Sequence, residues 1–247
     1  MRIALLADIH ANREALDACL AHAARQKIDQ FVFLGDLVGY GADPVYVVER
    51  IMALRDVGAI VLVGNHDEAA VRGDGVNMNA YARHAIEWTH ATLGPEALDF
   101  LAKLPLFHVQ DDHLFIHSEA ASPKAWNYVT NAQDAERSMR ATDRRVTFCG
   151  HVHRPQLYHM SATKPAVLFI PQNNLSIPLM GNRQWLAVQG AVGQPRDDNP
   201  EAAYSIFDTT RNEITYLRVP YDIEGAVNKI HAADLPQILA ARLFIGR

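Results

Sequence analysis

The chain has 247 residues, a length that suits one large domain or two small ones. Apolar residues are 49% and charged residues 21%, as in an ordinary soluble globular protein. The net charge of −5 argues against nucleic acid or a membrane surface as the main partner, because both call for clustered Lys and Arg.

In chain order, RIALLAD is a short apolar run followed by a helical pattern in which Leu16, Cys19, Leu20 and Ala23 recur at three- and four-residue spacing, with Asn12 placed as its N-cap. QFVFLGD is a second buried-strand run. It leads through GYGADP to a helix lined by Val47, Val48, Ile51, Met52 and Leu54, with Asp43 at the cap and Pro44 at the first helical position. AIVLVGNHD is the third strand. Strand, helix, strand, helix, strand over the first 70 residues is the alternation of an α/β parallel sheet.

NMNAYARHAIEWTHATL and GPEALDFLAKL read as helices, and LFHVQDDHLFIHSE as a hairpin turning at Asp111-Asp112. NAQDAERSMRAT is a helix and RRVTFCGHVHR a strand. From residue 155 the pattern changes to short β runs, QLYHM, AVLFIP, WLAVQG, AAYSIFDT and EITYLRV, which predict a second, largely antiparallel sheet. The end returns to helix, interrupted at Pro236. No repeat, low-complexity segment or linker divides the chain, so a single domain over 1–247 is expected. MRIALLADIHAN has neither the length nor the cleavage site of a signal peptide, and no apolar run approaches the roughly 18 residues of a membrane helix. The two cysteines, Cys19 and Cys149, lie in a helix and a strand, and two buried free thiols in a reducing cytosol are expected, hence a cytoplasmic protein.

The strand endings carry the chemistry. RIALLAD ends in Asp8 with His10 two residues on, and QFVFLGD ends in Asp36. AIVLVGNHD ends in Asn65 and His66, HLFIH in His117, and RVTFCGHVH in His151 and His153. In open α/β sheets the ligand crevice lies beyond the carboxyl ends of the strands, so neighbouring strands bring these groups to one place. Carboxylate, imidazole and amide oxygen without thiolate suit Mn, Fe, Zn or Ni. Seven candidate ligands are too many for one ion and fit two that share a carboxylate, which has two oxygens to offer. Such an ion pair can clamp the attacking and leaving oxygens of a displacement and convert a bound water into a nucleophile. Two divalent ions, two aspartates and a hydroxide leave a net positive site that attracts phosphate.

These residues resemble the calcineurin-like metallophosphoesterases, whose pattern is D-x-H, G-D, G-N-H-[DE], a lone H, and G-H-x-H. Here the blocks are Asp8-Ile9-His10, Gly35-Asp36, Gly64-Asn65-His66-Asp67, His117 and Gly150-His151-Val152-His153, in the family's order. The likeness covers at least residues 1–153 and extends to GAVGQPRDDNP (190–200), a stretch similar to bacterial phosphodiesterase-like members. It implies a four-layer αββα sandwich with two mixed sheets flanked by helices. It also implies two divalent ions per chain, one on Asp8, His10, Asp36 and His153 and the other on Asp36, Asn65, His117 and His151. His66 would bind no metal and would face the phosphate, stabilising the transition state or protonating the leaving oxygen. Asp67 would orient His66, or simply cap the helix before EAAV.

The implied activity is hydrolysis of a small phosphate ester, a diester in preference, by attack of a metal-bridging hydroxide. A metal-binding scaffold for a protein partner, and a phosphomonoesterase or protein phosphatase, are the alternatives. Protein phosphatases and dinucleoside tetraphosphatases carry G-D-x-V-D-R-G, whose Arg grips phosphate; here the stretch is Gly35-Asp36-Leu37-Val38-Gly39-Tyr40-Gly41, without that pair. Lacking this guanidinium, the site favours the singly charged diester, with Tyr40 lining its pocket. Ser118-Glu119 stands where many members have Gly after the lone His, a change in the pocket wall that removes no ligand. Asn12 can reach the site, although its cap role suffices. The QPRDDNP stretch carrying Arg196 reads as a surface turn, with substrate contact as the alternative. His22, His84, His90, His108, His113, His159 and His231 read as surface or packing residues.

Overall fold

The computed structural model describes every residue except Asn77. The predicted βαβαβ start is present: β1 (Arg2–Leu6), α1 (Arg13–Ala24), β2 (Gln30–Phe33), α2 (Pro44–Asp56) and the short β3 (Ile60–Val61). Asn12 Oδ1 accepts from Ala15 N at 3.1 Å and caps α1, and Pro44 opens α2. Asp43 makes no cap bond; its carboxylate instead takes Lys229 Nζ at 2.7 Å. There follow α3 (Asn65–Arg72), α4 (Ala80–Thr92) and α5 (Pro95–Ala102). The helix predicted from Asn77 thus begins at Ala80, with Asn79 as its cap; Asn77 itself lies outside the described residues. The hairpin of β4 (Phe107–Gln110) and β5 (His113–Ile116) turns at Asp111-Asp112, and α6 (Ala132–Arg140) leads to β6 (Val146–Cys149).

The remaining strands are β7 (Gln156–Ser161), β8 (Lys164–Phe169), β9 (Ser176–Pro178), β10 (Gln184–Val188), β11 (Ala202–Asp208) and β12 (Glu213–Val219), followed by α7 (Ile223–Ala232) and α8 (Gln237–Ile245). They do not form a sheet of their own, as their spacing predicted. One sheet runs β3-β2-β1-β11-β12-β9 and the other β4-β5-β6-β10-β7-β8. The parallel β1–β2–β3 set leaves one side of β1 unpaired, and β11 fills it antiparallel. In the second sheet β6 is parallel to both β5 and β10, and β7 and β8 extend it antiparallel. Both sheets are therefore mixed.

Side-chain alternation produces the layers. Ile3 and Leu5 of β1 pack with Phe207 and Tyr216 against Phe115, Phe148 and Trp185 of the other sheet. Ala4 and Leu6, on the opposite face of β1, pack against Leu16, Val47 and Ile51 of the helices. On the outer face of the second sheet Cys149, Tyr158 and Leu186 meet Ala135 and Met139 of α6. The result is helix, sheet, sheet, helix, the αββα sandwich expected. Phe100 is buried, and Met52 and Trp88 are partly buried against the core. Cys19 and Cys149 are free and buried. Among the described residues no helix is long and apolar enough to cross a membrane.

Candidate metal centre

The C-terminal ends of β1, β2, β5 and β6, with the first turn of α3, meet at one edge of the sandwich. Five of the seven candidate ligands there, Asp8, His10, Asp36, His151 and His153, have left-handed backbone (φ 50 to 70°). Each such non-glycine residue costs about 1–2 kcal/mol and persists only where its surroundings impose it. Here Asp8 N donates to Gly35 O at 3.1 Å, His10 N to Asp36 O at 3.0 Å, and His151 N to Asp8 Oδ2 at 3.0 Å. Gly64 is required by close approach: a Cβ there would stand 2.2 Å from Asp36 Oδ1.

The buried donor atoms fall into two groups that share Asp36. Asp8, His10, Asp36 and His153 form one and Asp36, His117 and His151 the other, each with its donors within 4.8 Å of one another. Asn65 Oδ1 borders the second group, 3.3 Å from His117 Nε2. Each of the four histidines gives its outer ring nitrogen to a backbone carbonyl. His10 Nδ1 is 3.1 Å from Val38 O, His117 Nδ1 2.9 Å from Leu34 O, His151 Nε2 2.9 Å from Trp126 O, and His153 Nδ1 2.7 Å from Gln194 O. An N–H spent outward leaves the inner nitrogen its lone pair, the arrangement that metal-binding histidines use. The inner nitrogens face each other, His10 Nε2 and His153 Nε2 at 3.1 Å and His117 Nε2 and His151 Nδ1 at 3.2 Å. This donor set, buried and convergent, fits borderline divalent cations.

Asp36 differs from expectation in one respect. Its Oδ1 accepts from His66 N at 2.8 Å, and its Oδ2 alone lies between the groups, 3.4 Å from His117 Nε2 and 3.7 Å from His10 Nε2. One oxygen, not two, faces both sides, because the other is held by the start of α3. Burial opposes charge on Asp8, yet His153 beside it holds the carboxyl at about 2. Burial likewise opposes protonation of His117, but Asp36 lifts its ring to about 9, so a cation bound there would displace a proton from the inner nitrogen. Burial, reinforced by His117, pushes His151 down to about 3.

His66 is built differently. It is buried, burial pushes its ring down to about 4 against the pull of Asp36, and its Nδ1 has no hydrogen-bond partner. Gly39 explains that nitrogen: it has φ +85°, and a Cβ there would lie 2.5 Å from His66 Nδ1. Asp67 does not orient His66. Its Oδ1 accepts from Leu37 N and Val38 N, and its Oδ2 from Gly64 N at 2.9 Å, so it caps α3 and ties the β2 loop to it. Asn12 is likewise committed to the fold. Beyond its cap bond, its Nδ2 donates to Gly193 O and Tyr221 OH, leaving no free group for a substrate.

Tyr40 and Arg196 do reach the site. The Tyr40 ring packs against both His10 (4.6 Å) and His66 (4.4 Å), which also touch each other. Arg196 is more than a surface turn: its guanidinium reaches Tyr40 OH at 3.4 Å and Gln194 Oε1 at 3.1 Å, and its buried Nε has no partner. Burial lowers the pKa of both His66 and His153, and the Arg196 charge adds to it. A guanidinium is therefore present, supplied from a distant part of the chain, and the sequence argument from its absence does not hold. Its signal was the QPR stretch itself. None of the seven remaining histidines joins either group among the described residues.

Beyond His66 a cleft of about 730 Å³ opens, lined by Tyr40, Asn65, His151, Trp126 and Tyr128 among others. Sequence reasoning missed Trp126 and Tyr128, which lie in no motif. The change to Glu119 is the signal that could have found them. Its buried carboxylate accepts from Ala121 N, Ser122 N and Asn127 Nδ2, shaping the loop that carries both aromatics.

Two mixed sheets in a sandwich, with two buried carboxylate–imidazole groups at their strand ends, define a hydrolase-type metal centre in an α/β frame. Comparison with known proteins agrees. Residues 1–212 match the calcineurin-like phosphoesterase superfamily domain, and the chain belongs to that family. Members of this family are phosphoesterases and typically bind divalent metals. The chain is 35% identical to an uncharacterized protein of Methanocaldococcus jannaschii, over 99% of this chain and 98% of that one. It is similar to the crystal structure of a metallophosphoesterase from Sphaerobacter thermophilus, at 34% identity, full coverage of both chains and a TM-score of 0.87. A hypothetical protein from Pyrococcus horikoshii shares the fold, at 20% identity and a TM-score of 0.81 over 100% of this chain and 98% of that one.

Proposed function

We propose that this chain is a metal-dependent phosphoesterase whose substrates are phosphodiesters. The observation that carries the reading is the common posture of His10, His117, His151 and His153, each tied outward to a backbone carbonyl and turned inward around Asp36. Packing histidines have no reason to share it. Asp8, His10, Asp36 and His153 would hold one divalent ion, and Asp36, Asn65, His117 and His151 the other, with Mn, Fe, Zn and Ni as the ions this donor set accepts. When bound, the pair supplies positive charge to the phosphoryl oxygens and an activated water.

The chain's own residues do the rest. His66, free of any outward tie, faces the cleft and donates to the phosphoryl or leaving oxygen. Arg196 offers its guanidinium to a phosphoryl oxygen beside Tyr40. The diester preference is supported by the cleft, whose volume and aromatic wall accommodate a second ester group beyond the phosphate.

Hydrolysis of bis(p-nitrophenyl) phosphate by protein loaded with Mn²⁺, Fe²⁺, Zn²⁺ or Ni²⁺, against a chelator-stripped control, tests the reading. Turnover that depends on metal is expected. Two bound ions without turnover of mono- or diesters would favour a metal-binding scaffold instead.

A further inference from the structure

Tyr128 takes part in none of the chemistry above, yet it occupies the wall of the cleft. Its ring lies parallel to that of His151, with centroids 4.1 Å apart and planes at 11°. His151 is 4% exposed, so one face of Tyr128 covers it, while Tyr128 remains 49% exposed and lines the cleft. A ring needed only as a cover would be buried. The loop beneath it is firmly held: Glu119 takes three donors from it, Trp126 Nε1 donates to Glu68 Oε2 at 3.0 Å, and Trp126 O accepts from His151. The platform is thus fixed before any substrate arrives.

The charges around it narrow the ligand. Arg72 and Lys124 line the same cleft, and so do Glu68 and Asp74. Arg72 is paired with both acids, to Glu68 at 3.1 Å and Asp74 at 3.3 Å. The formal charges cancel, which does not suit a polyanionic strand and does suit a planar, uncharged group carrying polar edges. Base-on-aromatic stacking tolerates any base, because each presents a π-face.

We infer that Tyr128 is a stacking platform for the second ester group of the substrate, and that this group is a nucleobase-bearing nucleoside. The inference rests on the phosphoesterase reading and names its substrate class.

Two p-nitrophenyl diesters with the same leaving group test it, one of thymidine 5′-phosphate and one of methyl phosphate, on Mn²⁺-loaded protein. The expected kcat/KM favours the nucleoside ester by at least about tenfold, the scale of one base stacked on an aromatic ring. Tyr128→Ala should bring that ratio to within about twofold of unity, and Tyr128→Phe should keep it. Damage common to both substrates, such as a disturbed His151, cancels in the ratio. An unchanged ratio in Tyr128→Ala, or no preference in the wild type, would overturn the platform.

Calorimetric binding of thymidine 5′-monophosphate against methyl phosphate gives the same comparison without turnover. Nucleotide selectivity that depends on Tyr128, found where no diester is hydrolysed, would overturn the diesterase reading and uphold the platform. Diester turnover with no such selectivity would overturn the platform alone.

Discussion

The backbone N–H of His66 donates to Oδ1 of Asp36 at 2.8 Å, so a residue lining the cleft and the carboxylate between the two ligand groups are fixed to each other. The bond turns Oδ2 of Asp36 toward His10 and His117 together. In Asp36→Asn, either the amide nitrogen meets the His66 N–H, or it replaces the oxygen between the cations. Both arrangements set a donor against a positive partner. Metal content and turnover should both fall in this variant. Full activity with two ions bound would rule out the bridging role.

His66→Ala separates binding from chemistry. Its Nδ1 has no partner and lacks the outward carbonyl tie of the four inward-facing histidines. The variant should therefore keep its metals. The ring is neutral near pH 7, so its removal should cost roughly 10²–10³ in rate, the scale of removing one positioned hydrogen-bond donor to the transition state. Metal analysis alongside kcat decides the point; loss of an ion would make His66 a ligand.

Gly39 tests the placement of His66 without touching it. An alanine there must hold φ +85° and put a methyl group 2.5 Å from His66 Nδ1. The backbone term alone is about 1–2 kcal/mol. Gly39→Ala should lower Tm by several degrees and reduce kcat with metal content unchanged. Wild-type kcat would mean that the His66 ring position is unimportant.

The expectations that held depend on local pattern. Period and caps in 1–70 placed β1, α1, β2 and α2, because an apolar run and its helix are read from neighbouring residues. The strand ends converged because parallel strands place their carboxyl ends together. What escaped was set at long range. The spacing of AAYSIFDT and WLAVQG says strand, but only the open side of β1 determines that β11 leaves for the first sheet while β10 joins β6. Asp67 sits beside His66 in sequence, yet the unpaired N–H groups of Leu37, Val38 and Gly64 claim its oxygens. Arg196 reaches Tyr40 across 156 positions, a distance at which spacing carries no signal.

Arg196 bears on substrate charge. A charge-assisted hydrogen bond is worth about 1.5–3 kcal/mol, and a doubly charged monoester should depend on it more than a diester. Arg196→Ala should reduce kcat/KM for p-nitrophenyl phosphate by about tenfold or more beyond its effect on bis(p-nitrophenyl) phosphate. Equal losses on both substrates would place the guanidinium away from the phosphoryl group.

The central claim is that two ions lie on either side of Asp36. Crystals of the Mn²⁺-loaded protein, with anomalous scattering recorded at the manganese edge, address it most directly. Two peaks about 3.5–4 Å apart are expected, one among Asp8, His10, Asp36 and His153 and the other among Asp36, Asn65, His117 and His151. A single peak, or a peak coordinated by His66, would contradict the account.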